Sequence, residues 1–206
     1  MASCQQREAL RRRRTNQRRR LLLEAGAPAS TPQPSFANVV WQMNFEQATA
    51  ASMTDQSSYN RAIIYNSGTV STDVFKFGTQ GVRKLGGNAQ SWSANDAAEL
   101  NLGANDFCIE AWCYYEDVGL DHVFFGQFST TNNRSWVLWY DLSAQNLVWE
   151  TTSGGTTIDT TILSDTFLPT ADTWYHTAVV RNGDVLTFYI NGVSYGSSAI
   201  TGTIYN

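Results

Sequence analysis

Cysteine, proline and charge are all scarce in this chain, and each shortage narrows what it can be. There are three cysteines in 206 residues, Cys4, Cys108 and Cys113. The last two fall on one predicted strand with odd spacing, so they point to opposite faces and stand too far apart to bridge. No CxxC pair and no His/Cys cluster is present, so neither a disulfide framework nor a zinc site organises the fold. Only 16% of residues are charged. The longest leucine run, Leu21–Leu23, is too short for the apolar region of a secretory signal, and no membrane association is expected. An Arg-rich, acid-poor leader fits a transit-type composition better.

The charge that is present is unevenly placed. Residues 1–35 hold eight arginines against Glu8 and Glu24, about +6, while residues 36–206 hold six Lys/Arg against sixteen Asp/Glu, about −10. A basic arm on an acidic body points to two environments. Residues 8–24 are rich in helix formers, with Gly26 and Pro28 as a stop, and predict a helix. Its anchoring residues are Arg7, Arg11, Arg12, Arg13, Arg14, Arg18, Arg19 and Arg20, with Leu21, Leu22 and Leu23 as a sticky end. Such a helix repels itself in isolation and needs a neutralising partner, either an acidic protein surface or nucleic acid. Phosphate contact is possible in principle, but no interleaved aromatic or reading motif accompanies the arginines. Residues 25–35 carry three of the four prolines and read as an extended linker, which puts the domain boundary at 35/36.

From Phe36 onward the sequence is abundant in aromatics, Thr, Ser, Asn and Gly. Apolar/polar alternation and turn residues recur about every ten residues. Strands are expected at 39–45, 61–65, 74–77, 81–85, 107–115, 123–128, 135–140, 146–151, 158–163 and 193–195. A hairpin spans Trp174–Gly192. If its loop is Asn182-Gly183, Arg181 faces Asp184, Val179 faces Leu186, Thr177 faces Phe188 and Tyr175 faces Ile190. The fold class is therefore all-β, a sandwich or a barrel, preceded by a basic helical arm.

Asp106-Phe107-Cys108-Ile109-Glu110-Ala111-Trp112, then Trp174-Tyr175-His176-Thr177-Ala178-Val179-Val180-Arg181, then Tyr189-Ile190-Asn191-Gly192-Val193, resemble the laminin-G-like, concanavalin A-like family. Upstream, Met43-Asn44-Phe45-Glu46, Lys76-Phe77-Gly78 and Gly81-Val82 are similar to its opening segments. The resemblance covers roughly residues 39–195 and implies a jelly-roll sandwich. It implies little about function, because the fold serves lectins, adhesion modules, glycan hydrolases and viral structural proteins alike. Family domains usually continue past the last hairpin with strands that return beside the first, whereas this sequence ends at Ile204-Tyr205-Asn206. That predicts a truncated sequence, a trimmed domain, or a neighbouring chain that supplies the final strand.

Hydrolytic members carry paired acids on one strand, and no such pair is present here; Glu110 lies within the structural phrase and Glu116-Asp117 at a strand end. Neither His122 nor His176 has a nucleophile placed beside it by any motif. Calcium is the family's usual companion. The one candidate ligand group here is Asp55, which is also well placed to cap its own turn, and no cofactor is otherwise expected. Trp136, Trp139 and Tyr189 are the carbohydrate-binding candidates, although alternation along 135–140 forces some of these aromatics into the core.

Three functions follow, in order. The first is a non-enzymatic structural protein of a virus particle, such as a bacteriophage capsid or tail component. It would be anchored among neighbouring virion chains by the arm and would act as an oligomer within the assembly. The second is a secreted or displayed lectin that adheres to a host-surface glycan. The third, a divergent glycoside-active enzyme, is poorly served by the missing acid pair.

Overall fold

A computed structural model describes residues 38–46, 49–83, 91–128 and 133–205. The expected arm, its helix and the linker lie outside the described residues. The chain divides into two units, Met1–Val39 and Val40–Asn206, and the description that follows is of the second.

Two four-stranded antiparallel sheets make the body. Strands β1 (Ile64–Asn66), β2 (Thr69–Ser71), β3 (Gly81–Arg83) and β4 (Ser91–Ser93) are short and pair as β1–β4 and β2–β3. The first large sheet orders β12 (Val193–Ala199), β11 (Val185–Ile190), β10 (Thr173–Asn182) and β5 (Phe107–Tyr115). The second orders β6 (His122–Phe128), β7 (Arg134–Asp141), β8 (Asn146–Thr151) and β9 (Thr160–Leu163). Period-two alternation sends alternate side chains inward, and the inner faces of the two sheets meet in one core. Tyr115, Val179, Leu186, Phe188 and Ile190 come from the first sheet, and Leu138, Tyr140, Leu147, Trp149 and Ile162 from the second. Tyr115 meets Tyr140 edge-on at 5.9 Å, and Phe107 stacks on Trp149 at 5.3 Å. Burying each large side chain stabilises the fold by about 1.5–3 kcal/mol.

The hairpin forms one step away from the expected register. Asn182 faces Val185, Arg181 faces Leu186, Val179 faces Phe188 and Thr177 faces Ile190. Gly183, at φ 58°, is the first central turn residue, as a type II′ turn requires, so Gly183-Asp184 rather than Asn182-Gly183 is the loop. Arg181 and Asp184 accordingly do not pair. Arg181 is buried, and its guanidinium donates to the carbonyls of Gly183, Gly103 and Gly202. The shift moves both strands by one residue in opposite senses, so every side chain keeps its face.

Residues 39–45 do not form the expected first strand. Asp55 reaches across and accepts the Gln42 N–H at 3.0 Å, Gln56 N–H donates to the Gln42 carbonyl, and Phe45 turns the chain with φ 57°. These local bonds replace a ladder. Residues 74–77 are also irregular. At the other end, β12 runs four residues beyond Tyr195, and the segment after it folds back onto the sandwich. Ile204 is in the core and its N–H donates to Gly103. The Tyr205 N–H donates to Thr152, and its carbonyl accepts the Ser135 hydroxyl.

Candidate functional site

The outer face of the first sheet is built by the residues that the core rejects. In the β5–β10 ladder, Trp112 stands opposite His176, and Glu110 opposite Ala178. Ala178 in turn faces Tyr189 on β11, and Tyr189 faces Ser194 on β12. Ala178 is the small member of this row and is buried. Trp112 is 38% exposed.

Diagonal placement brings Glu110 to His176, with Oε2 to Nε2 at 3.3 Å and the carboxylate side chain 60% exposed. The Trp112 and His176 rings lie 5.3 Å apart. Asn191, held at φ 50° in the turn after β11, accepts the His176 N–H on its side-chain oxygen at 2.9 Å and donates its own N–H to the His176 carbonyl. From a separate segment, the Lys76 ammonium sits 4.0 Å over the Trp112 ring, and Phe77, itself exposed, meets that ring edge-on at 5.8 Å. Glu46 fixes this segment by accepting the N–H and hydroxyl of Thr79 and the Gln80 N–H.

The arrangement is an aromatic platform flanked by one carboxylate, an imidazole and an amide. Glu110 is the sole carboxylate among the outward-facing residues of β5, β10 and β11. Glycoside cleavage uses two, and these rows hold one.

The structure separates the sequence-chosen aromatics. Trp136 is partly buried on the inner face and packs against the core, stacked on Trp149 at 5.2 Å with planes 15° apart. Trp139 is on the outer face of the second sheet, between Val123 and Val148 in register. Tyr189 alone belongs to the Trp112 face. Trp112, Glu110, His176 and Lys76 were not among the expected site residues. The signal for the first two was the alternation in FCIEAWCYY, which sets Glu110 and Trp112 on one face; nothing local brought Lys76 to them.

Asp55 is buried, and its carboxylate accepts the N–H groups of Gln42, Ser57 and Arg61 and the Ser57 hydroxyl, with the Arg61 guanidinium at 3.6 Å. Burial would raise this carboxyl, but the four hydrogen bonds outweigh it and hold the group below its ordinary value. With its lone pairs so occupied, Asp55 ties the 42 and 61 segments together instead of presenting oxygens to calcium. Among the described residues no group of three or more His, Cys, Asp or Glu could hold a metal ion, and no helix is long and apolar enough to cross a membrane. The two cysteines of β5 do point apart. Cys108 is exposed, while burial pushes the Cys113 thiol up to about 12.

Two antiparallel sheets packed face to face, with an aromatic and polar outer face, define a lectin-type β-sandwich. Residues 85–206, more than half of the chain, match the family described as the concanavalin A-like lectin/glucanases superfamily, and the chain belongs to it. The match begins downstream of the Met43–Glu46 and Lys76–Gly78 resemblances. Searches of curated proteins and of solved structures returned no match.

Proposed function

We propose that the chain is a non-catalytic carbohydrate-binding module whose sugar surface is the outer face of β5, β10 and β11. The observation that carries this reading is Trp112: a partly exposed indole beside His176 and Glu110, on the sheet face that also carries Tyr189. A flat apolar face beside hydrogen-bonding groups suits a pyranose ring, which is apolar on its faces and hydroxylated at its edge. Family membership supports the same substrate class. A glycan array probed with the full chain tests it. Saturable binding lost in Trp112→Ala and kept in Trp139→Ala agrees with the reading, and binding that survives Trp112→Ala removes the site.

A second reading rests on the charge asymmetry between residues 1–35 and the acidic body. In it the module is displayed on a virus particle, a bacteriophage for example. The arginines of 7–20 and Leu21–Leu23 dock against neighbouring virion chains, and the sandwich faces outward to a host glycan. Co-sedimentation of the full chain with assembled particles, abolished by deleting residues 1–35, is its expected outcome; a chain that never associates with particles contradicts it.

A further inference from the structure

The Trp112 face already holds a cation, Lys76 of the same chain, and from this we infer that the site is built for a positively charged sugar, an amino sugar with a free amine. The inference rests on the carbohydrate reading above and specifies its ligand.

Three observations converge on it. First, Lys76 places its ammonium 4.0 Å from the centre of the Trp112 ring, in cation–π geometry. Phe77 walls the same ring edge-on. The chain thus shows what chemistry this surface attracts. Second, Glu110 lies on the same face, two residues along β5 from Trp112, with its side chain 60% exposed. Its one ionic partner among the described residues is the His176 imidazole at 3.3 Å, and most of the Glu110 side chain faces solvent. The carboxylate is therefore open to a full positive charge. Third, the body as a whole is acidic, with six Lys/Arg against sixteen Asp/Glu in residues 36–206. Several of those cations are already engaged: Arg61 with Asp55 and Glu99, Arg83 with Glu116, Arg181 with three carbonyls. The surrounding field therefore draws cations in.

A polyamine sugar fits better than a lysine-bearing peptide. Tyr189 and Ser194 carry hydroxyls in the Glu110–Ala178 row and Asn191 carries an amide beside His176, which match the hydroxyls of a pyranose, and the indole offers a ring-sized plane to stack on. On binding, the sugar ring takes the indole face, its ammonium takes the Glu110 carboxylate, and the Lys76 side chain is displaced into solvent. Lys76 is thus a competitor built into the site.

The experiment is titration calorimetry on the full chain at mildly acidic pH, where the amines of the chitosan probe carry their protons and Glu110 is still ionised. The probes are chitosan oligosaccharides, chitin oligosaccharides, cello-oligosaccharides and a lysine oligopeptide. The first three share one backbone geometry and differ at one substituent, an amine, an acetamide or a hydroxyl. Chitosan oligosaccharides should bind at least tenfold more tightly than the other two, and added salt should weaken them most. Glu110→Gln, isosteric and exposed, should remove that preference, a loss of about tenfold for one charge-assisted bond. Lys76→Ala should tighten binding several-fold by clearing the ring. Equal binding of all three oligosaccharides overturns the amino-sugar inference and leaves the carbohydrate reading standing. Binding of the lysine peptide alone, or of none of the probes, overturns the inference together with the sugar reading of this surface. Unchanged or weaker binding in Lys76→Ala overturns the competitor role.

Discussion

His176 stands directly opposite Trp112 in the β5–β10 ladder, and its Nε2 reaches the Glu110 carboxylate diagonally at 3.3 Å. One register thus joins the two sequence phrases that identify the family into a single surface cluster. Because the carboxylate is largely exposed, the pair contributes little to folding, about 0–1 kcal/mol. Glu110→Ala should leave the thermal midpoint within a few degrees of the parent while weakening ligand binding. A collapse of the midpoint in differential scanning fluorimetry would reassign the pair to the scaffold.

Asp55 should behave in the opposite way. Removing it orphans three backbone N–H groups and leaves the largely buried Arg61 with Glu99 as its remaining carboxylate partner, so Asp55→Ala should cost about 3–5 kcal/mol in denaturant unfolding. Its folded carboxyl titrates below the unfolded value of about 3.9. The stability it contributes is fully present above that value and is lost as pH falls through the lower, folded one. Unfolding followed by circular dichroism should show steep loss below about pH 4, shallower in Asp55→Asn, which cannot titrate.

Trp136 and Trp139 are neighbours on β7 with opposite fates. Trp136→Ala opens a cavity beside Trp149 and should cost about 3–5 kcal/mol. Trp139→Ala, on an outer face, should cost much less. Urea midpoints of the two variants decide this, and equal losses would contradict the assignment of faces.

Arg181 is a buried cation held by carbonyls of three separate turns, at Gly103, Gly183 and Gly202. Arg181→Met keeps the stem and removes the donors, so the Gly183 and Gly202 carbonyls lose this partner and Gly103 keeps only the Ile204 N–H. A loss of about 2–4 kcal/mol is expected, with hydrogen exchange rising first at the Ile204 amide, which donates to Gly103.

The two thiols of β5 should differ sharply in reactivity. Cys108 is exposed, whereas Cys113 is kept protonated by burial. Iodoacetamide followed by peptide mass mapping should label Cys108 and spare Cys113 until the protein unfolds.

What could be read from sequence follows from how local the cause is. The strand 107–115 is legible to the residue because FCIEAWCYY alternates and is bounded by turn residues. The faces of the 174–190 hairpin are legible too, since a paired register slip preserves parity. Its turn was misplaced because Asn182-Gly183 and Gly183-Asp184 are both good loops. The choice between them goes with contacts from far along the chain, namely the Asp106 carboxylate accepting the Gly183 N–H and the seating of Arg181 on Gly103 and Gly202. Residues 39–45 have strand composition, yet Asp55 and a left-handed Phe45 override it. Trp136 looked like a sugar platform because composition cannot tell an inner from an outer face without knowing which side the second sheet covers. Lys76 was hidden for the same reason: its partner, Trp112, is distant in sequence and near only in the fold.

The most direct test of the central claim, that the Trp112 face is where a glycan binds, is to follow the Trp112 indole N–H resonance in the full chain during titration with an array-positive oligosaccharide. The account predicts a saturable shift of this signal and of the Glu110, His176 and Tyr189 amides, with the Trp139 indole unmoved. Saturation that moves the Trp139 indole and leaves Trp112 still would contradict it.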